Sequence, residues 1–297
     1  STLLETENIE TIITTGPPHS LHLIGLHIKK QFNIKWIADF RDPWTTIGYH
    51  KELKLTKKSE QKHKYLEKEV LNKADQIIVT SHVTKSEFKN LTAKPIAVIT
   101  NGYDDDFVAV KPVINTSFSL VHIGSLLSKR NPEILWQVLK DLTKENESFA
   151  QDFVLRFVGA VSPSILLSLQ SYHLNEYVDH VGYVNHDKCI TYQKEAQVLL
   201  LIEIDSIDTR CIIPGKLFEY IKSTRPIIAL GPPASDVEKI IKDTQTGNYF
   251  YYNNYKLLKA HILSLYNTYK TDTLEVTPVN ISKYHRLELT KSLSELI

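Results

Sequence analysis

The chain has 297 residues, a formal net charge of +1, and ordinary apolar (42%) and charged (23%) fractions. That length accommodates two domains of about 100–200 residues each. The near-zero charge gives no reason to expect nucleic acid as a partner, and no stretch approaches the ~18 consecutive apolar residues of a membrane span.

In chain order, the β-branched run at 9–15 reads as a buried strand that Gly16-Pro17-Pro18 breaks, and His19-Ser20 opens a helix to residue 31. A second strand at 35–39 runs into Phe40-Arg41-Asp42-Pro43-Trp44. A Lys-rich helix follows over 53–72, then a strand at 76–80, a short helix at 84–90 and a strand at 96–100 that leads into Asn101-Gly102-Tyr103-Asp104. Residues 107–116, around Pro112, lack helical periodicity and read as an interdomain linker.

A second series then alternates strands at 119–123, 153–158, 178–181, 198–204, 226–229 and 249–251 with helices at 132–145, 162–172, 186–195, 215–222, 235–244 and 255–269. An amphipathic helix over 281–297, with Leu287, Leu289, Leu293 and Leu296 on or near one face, ends the chain. Regular alternation of strand and helix predicts an α/β protein with parallel sheets and crossover helices.

Cys189 and Cys211 are far apart and lack metal-ligand spacing, so no disulfide framework or metal centre is expected, and a reducing cytoplasm is the natural compartment. The first residues lack the basic-then-apolar pattern of a signal peptide. Methionine is absent, which reads either as a fragment or as a chain missing its methionines, with local spacings then one residue short. Only about four strands are legible before residue 107, so upstream strands are expected.

Open parallel sheets bind ligands beyond the carboxyl ends of their strands, which directs attention to the strand-end loops. After the strand at 119–123, Gly124-Ser125 lets backbone approach a phosphate, and Lys129 and Arg130 can neutralise a diphosphate. A turn carrying a solvated basic pair is the alternative. Phe157-Val158-Gly159 ends the next strand, and His180-Val181-Gly182-Tyr183-Val184 offers a loop against which a base can lie.

The segment Pro214-Gly215-Lys216-Leu217-Phe218-Glu219-Tyr220 is the most informative. Lys216 sits in a first helical turn, where a cation is poorly placed for the helix dipole, and this points to an anionic partner. Glu219, one turn later among apolar residues, can accept from a ribose diol. A local Lys216–Glu219 ion pair is the alternative reading.

In the first half, Thr15-Gly16-Pro17-Pro18-His19-Ser20 presents a strand end and a helix start suited to an anion or a sugar hydroxyl. Asp39-Phe40-Arg41-Asp42-Pro43-Trp44 suits carbohydrate, with carboxylates for hydroxyls and an indole for a sugar face; a self-satisfied Asp–Arg cluster is the alternative. Residues 51–73 hold eight lysines against four acids. Such a segment is either a peripheral contact with anionic lipid or a solvated face.

The order Gly124…Lys129-Arg130, Phe157-Val158-Gly159, Val181-Gly182-Tyr183-Val184, Phe218-Glu219-Tyr220…Pro226-Ile227-Ile228-Ala229 resembles the donor domain of the retaining GT-B glycosyltransferases, the large group that includes bacterial capsule and lipopolysaccharide transferases. Asn101-Gly102-Tyr103-Asp104…Phe107 is similar to the segment closing that family's acceptor domain, and Ala74-Asp75-Gln76-Ile77-Ile78-Val79-Thr80-Ser81 to one of its strands.

The resemblance implies a GT-B fold, two Rossmann-like domains facing across a cleft. An incomplete acceptor-side domain would span 1–110, a nucleotide-sugar domain 117–280, and a terminal helix at 281–297 would return to the first. It implies sugar transfer from a nucleotide-diphosphate sugar to a saccharide or lipid-linked acceptor, with retention, without a resident metal or cofactor, in the cytoplasm or at the inner membrane face.

By position, the resemblance puts Gly124 and Ser125 at the diphosphate with Arg130 or Lys129 as its counter-ion, Gly182, Tyr183 and Val184 at the base, Lys216 at sugar or phosphate, and Glu219 at the ribose hydroxyls, with Leu217 also in the donor-binding set. His19, Arg41 and Asp42 are the candidate catalytic residues of the acceptor side. Where the family often has a second Glu, eight residues before the ribose-binding one, this chain has Cys211; Asp205 or Asp208 is the candidate substitute. A GT-B sugar-nucleotide epimerase and a non-catalytic nucleotide-sugar-binding protein are the rival readings.

Overall fold

The computed structural model describes residues 2–105, 113–114, 116–271 and 274–297. Most of the expected linker at 107–116, with Phe107, lies outside them. The described chain divides into two compact units: 1–102 with 208–213 and 284–297, and 103–207 with 214–283.

The first unit opens with a five-residue helix, α1 (Thr2–Thr6), not expected from the sequence. Its sheet contains β1 (Thr11–Gly16), β2 (Lys35–Phe40), β3 (Gln76–Val79) and β4 (Ile96–Val98), all parallel and in sequence order. Period-two alternation sorts β2. Trp36, Ala38 and Phe40 enter one core with Leu26 of α2 (Leu21–Gln31), Val70 and Leu71 of α3 (Lys57–Lys73), and Phe88 of α4 (His82–Phe88). Ile37, on the other face, packs with Ile78 and Ile99 against Leu289, Leu293 and Leu296.

The Lys-rich helix begins later than expected. Residues Gly48–Leu53 form a 3-10 turn, and Thr56 caps α3 by accepting from the Ser59 N–H at 3.2 Å.

Gly25 is a fixed point of this packing. A Cβ there would lie 2.3 Å from Nε1 and 2.5 Å from Cε2 of Trp36, whose indole is fully buried and donates to Thr14 Oγ1 at 2.9 Å. Gly25→Ala should therefore destabilise the protein. Overpacking costs about 1–3 kcal/mol against about 0.5–1 kcal/mol gained from helix propensity. An unchanged or raised Tm in thermal denaturation would show that Trp36 can yield.

The second unit holds β5 (Phe118–Ile123), β6 (Phe153–Val158), β7 (Val178–Gly182), β8 (Val198–Ile202), β9 (Ile227–Leu230) and β10 (Gly247–Phe250) in a parallel sheet of order β10-β9-β8-β5-β6-β7. Crossovers are α5 (Glu133–Glu145), the unexpected α6 (Glu147–Asp152), α7 (Pro163–Ser171), α8 (His186–Glu195), α9 (Lys216–Lys222) and α10 (Asp236–Thr244), followed by α11 (Tyr255–Thr271). Asn146 starts α6 by accepting from Phe149 N–H at 3.0 Å.

The chain runs from β5 through β6 to β7, then returns to place β8 on the opposite side of β5. That reversal leaves a crevice beyond the carboxyl ends of β5 and β8, the usual ligand position in an open α/β sheet. The expected terminal helix is shorter than 281–297. It is a 3-10 turn at Ser282–Tyr284 and α12 (Arg286–Ser294), with Leu287 exposed.

Candidate functional site

A pocket of about 410 Å³ occupies that crevice, lined by Ile123, Gly124, Ser125, Arg130, His186, Cys189, Gln193, Ile202, Pro214, Gly215, Lys216 and Glu219. Loops after β5 and β8 and helices α8 and α9 thus meet at one place. Gly124 has φ +100°, in the region that favours glycine. Its N–H is already donated to Val158 O at 2.7 Å, so its contribution to the site is space rather than a hydrogen bond. A Cβ there would sit 3.3 Å from Lys216 Nζ. Gly159, at φ +129°, has no room either, since its Cβ would come within 2.7 Å of Gly124 O.

Lys216 does not pair with Glu219. Its Nζ donates to Ile123 O at 2.7 Å and lies 3.1 Å from His122 Nε2. His122 Nδ1 is 3.1 Å from Leu200 O, which can only accept, so Nδ1 carries the proton and Nε2 accepts from the lysine. Burial lowers Lys216 to about 7, with repulsion from Arg130 as the second cause. Two cationic groups therefore share one pocket wall, which an anion between them would satisfy. Glu219 is held separately, its Oε2 accepting from Gln193 Nε2 at 2.7 Å, and Gln193 is fully buried. Tyr220 ties α9 back to the sheet by accepting from the Ile123 N–H at 2.9 Å.

Gly124, Ser125, Arg130, Lys216 and Glu219 are thus brought together. The other expected residues are not. Lys129 is exposed and outside the pocket lining. Leu217 is fully buried and outside the pocket lining, and its N–H is donated to Pro214 O at 3.0 Å. Gly182, Tyr183 and Val184 do not line the pocket, and Tyr183 is 92% exposed. Asp205 is exposed, while Asp208 pairs with Lys51. Cys211 is buried in the first unit, where burial and then Glu87 push its thiol up to about 11.

Sequence reasoning left His122, Cys189, Gln193 and Glu203 without a role. A histidine inside a mostly apolar strand is the one available signal. Glu203, just past β8, is 4% exposed, with Oε2 accepting from Tyr249 at 2.6 Å and Oε1 from Ser235 at 2.9 Å. Burial raises it to about 8 against the opposing effects of Tyr249, Ser235 and Arg130.

In the first unit, His19 Nε2 donates to the Asp42 carbonyl at 2.9 Å, and its ring stacks on Trp44 with centroids 5.4 Å apart. Arg41 instead donates through its guanidinium to Asn101 Oδ1. Burial lowers His19, with Asp42 opposing. Trp44 is fixed in turn by Glu67, which accepts from the Trp44 and Thr45 N–H groups, each at 3.0 Å, and from Thr45 Oγ1 at 2.5 Å.

Residues 2–107 match the family model described as Glycosyltransferase Family 4. No curated protein matches the chain by sequence. Solved GT-B structures share its architecture. Sucrose-phosphate synthase from Thermosynechococcus elongatus aligns with TM-score 0.66 and 16% identity over 96% of this chain and 72% of that one. Anabaena HepE, solved with UDP and glucose, gives 0.68 and 13% over 96% and 77%. TarM gives 0.65 and 16% over 99% and 56%, so this chain spans little more than half of TarM's length.

Proposed function

We propose that this chain, which has the GT-B fold and a Glycosyltransferase Family 4 domain over residues 2–107, transfers a sugar from a nucleoside-diphosphate sugar to a saccharide acceptor. The observation that carries the reading is the pocket beyond β5 and β8, where Lys216, Arg130 and Glu219 line one wall system around a strand-end glycine. In the reaction, the bond from the anomeric carbon to the β-phosphate oxygen breaks and one to an acceptor oxygen forms. Negative charge develops on the departing diphosphate, and stabilising it is the main electrostatic task.

Lys216 and Arg130 are the groups we assign to that charge, and Glu219 the acceptor for ribose hydroxyls. Anabaena HepE, a solved structure of the same fold, holds UDP and glucose, which makes UDP the first probe. Retention of anomeric configuration, a lipid-linked acceptor and a role in cell-surface polysaccharide synthesis extend the proposal. Among the described residues no helix is long and apolar enough to cross a membrane.

A thermal-shift panel of nucleoside-diphosphate sugars tests the donor assignment. A ligand at about 100 times its Kd should stabilise by roughly 2.7 kcal/mol. A panel in which no member raises Tm would sink it. Incubation of the shifting donor without acceptor then separates transfer from epimerisation, because only an epimerase yields a new sugar nucleotide.

A further inference from the structure

One cavity of the first unit has no part in the donor assignment. It measures about 600 Å³ and is lined by His19, Ser20, Trp44, His50, Lys62 and His63 among others, with Leu23, Leu53 and Leu66 on its apolar side and no carboxylate among the described lining residues. His50 Nε2 lies 3.3 Å from His63 Nδ1, the His63 ring meets Trp44 edge-on at 6.0 Å, and His19 stacks on the same indole. Residues carrying three imidazoles, an ammonium and two serine hydroxyls, those of Ser20 and Ser59, therefore line one space, from the turn before α2, the 3-10 turn and α3, with Trp44 of the Glu67-anchored loop beside them.

We infer that this pocket binds a phosphate ester, and hence, on the transferase reading, that the acceptor is a phosphorylated saccharide. The donors present match a phosphate better than a neutral sugar. Lys62 brings an ammonium, the serine hydroxyls and imidazoles can donate to phosphate oxygens, and among the described residues no carboxylate lines the pocket to repel them, although Asp42 and Glu60 lie near enough to act on His19 and His50. The leucines suit the apolar face or tail of the same molecule.

The titration directions of the empty pocket give the proposal a pH signature. Burial lowers His19, with Asp42 opposing and His50 and His63 adding to it. Burial and then His63 lower His50, with Glu60 opposing and Lys64 adding. An anion offsets the mutual repulsion of these rings, so the bound state holds more protons than the empty one. Affinity therefore rises as pH falls.

The test is titration of glucose 1-phosphate into the full chain by calorimetry, beside a vesicle arm of phosphatidylcholine with phosphatidic acid. Binding in solution assigns a soluble phosphate ester, and binding to vesicles alone assigns a lipid-borne one. Either should weaken about tenfold in Lys62→Gln, an exposed position with little folding risk, and further in the His50→Gln/His63→Gln double variant. It should also weaken from pH 6 to pH 8 in the parent protein.

No binding in either arm, or binding indifferent to all three substitutions, overturns the proposal. UDP-induced thermal shift, measured on every variant, should stay unchanged. Its absence in the parent protein would strike the donor assignment instead and leave the phosphate titration to be judged alone.

Discussion

Lys216→Met should raise the Kd for UDP by roughly ten- to hundredfold, the about 1.5–3 kcal/mol carried by a hydrogen bond to a charged group, and should abolish the pH dependence of binding. Methionine keeps the length of the stem, so the loss reports the ammonium and not the packing. In the empty pocket Lys216 titrates near 7 because burial and Arg130 disfavour its charge. The charge of a diphosphate outweighs both effects and raises it, so above pH 7 binding must draw a proton from solution. Between about pH 7.5 and 9 the parent's affinity should then fall by up to about tenfold per pH unit, while the variant's stays flat.

Folding stability of the empty protein provides the sign check. Between about 7 and the ordinary lysine value of 10.5 the unfolded chain holds the proton and the native one does not, so this group makes stability rise with pH across that window. Lys216→Met should remove that slope. A pH-independent Kd in the parent protein, measured by calorimetry, would show that the lysine is already charged and its assignment as a proton-coupled phosphate ligand wrong.

The features legible in the sequence are those that a few adjacent residues determine. Runs such as Val198-Leu199-Leu200-Leu201-Ile202 are apolar on both faces, and only a doubly covered parallel strand needs that. The strand-end glycines were legible because a left-handed residue that must also admit a neighbour at 3.3 Å can carry no side chain. Lys216 and Glu219 stood out by being out of place, a cation in a first turn and an acid among buried neighbours.

What was not legible is tertiary. Residues 208–213 join the first unit between two elements of the second, and nothing local marks that departure, so Cys211 and Asp208 were weighed for a pocket whose lining does not include them. Lys129 and Arg130 are adjacent and chemically alike, yet only Arg130 lines the pocket. Tyr183 follows a glycine as a stacking aromatic would, yet it is 92% exposed and outside the pocket lining. His63 read as part of a solvated basic helix because its partners, Trp44 and His50, come from other elements.

Glu219→Ala should weaken UDP by about tenfold or more while leaving inorganic diphosphate binding unchanged. The ribose assignment makes this asymmetric demand. A carboxylate accepting from a diol loses about 1.5–3 kcal/mol when removed, and inorganic diphosphate has no diol to lose. Lys216→Met, by contrast, should weaken both ligands, so the two variants against two ligands separate the sugar contact from the phosphate contact. Glu219→Gln is the informative intermediate, since it keeps an acceptor for Gln193 Nε2, now 2.7 Å from Oε2, and forfeits only the charge. Equal loss of UDP and diphosphate in Glu219→Ala would mean that the residue acts by holding α8 and α9 together through Gln193. An unchanged UDP affinity would remove it from the site, and with it the argument that the crevice beyond β5 and β8 reads a nucleoside and not a bare anion.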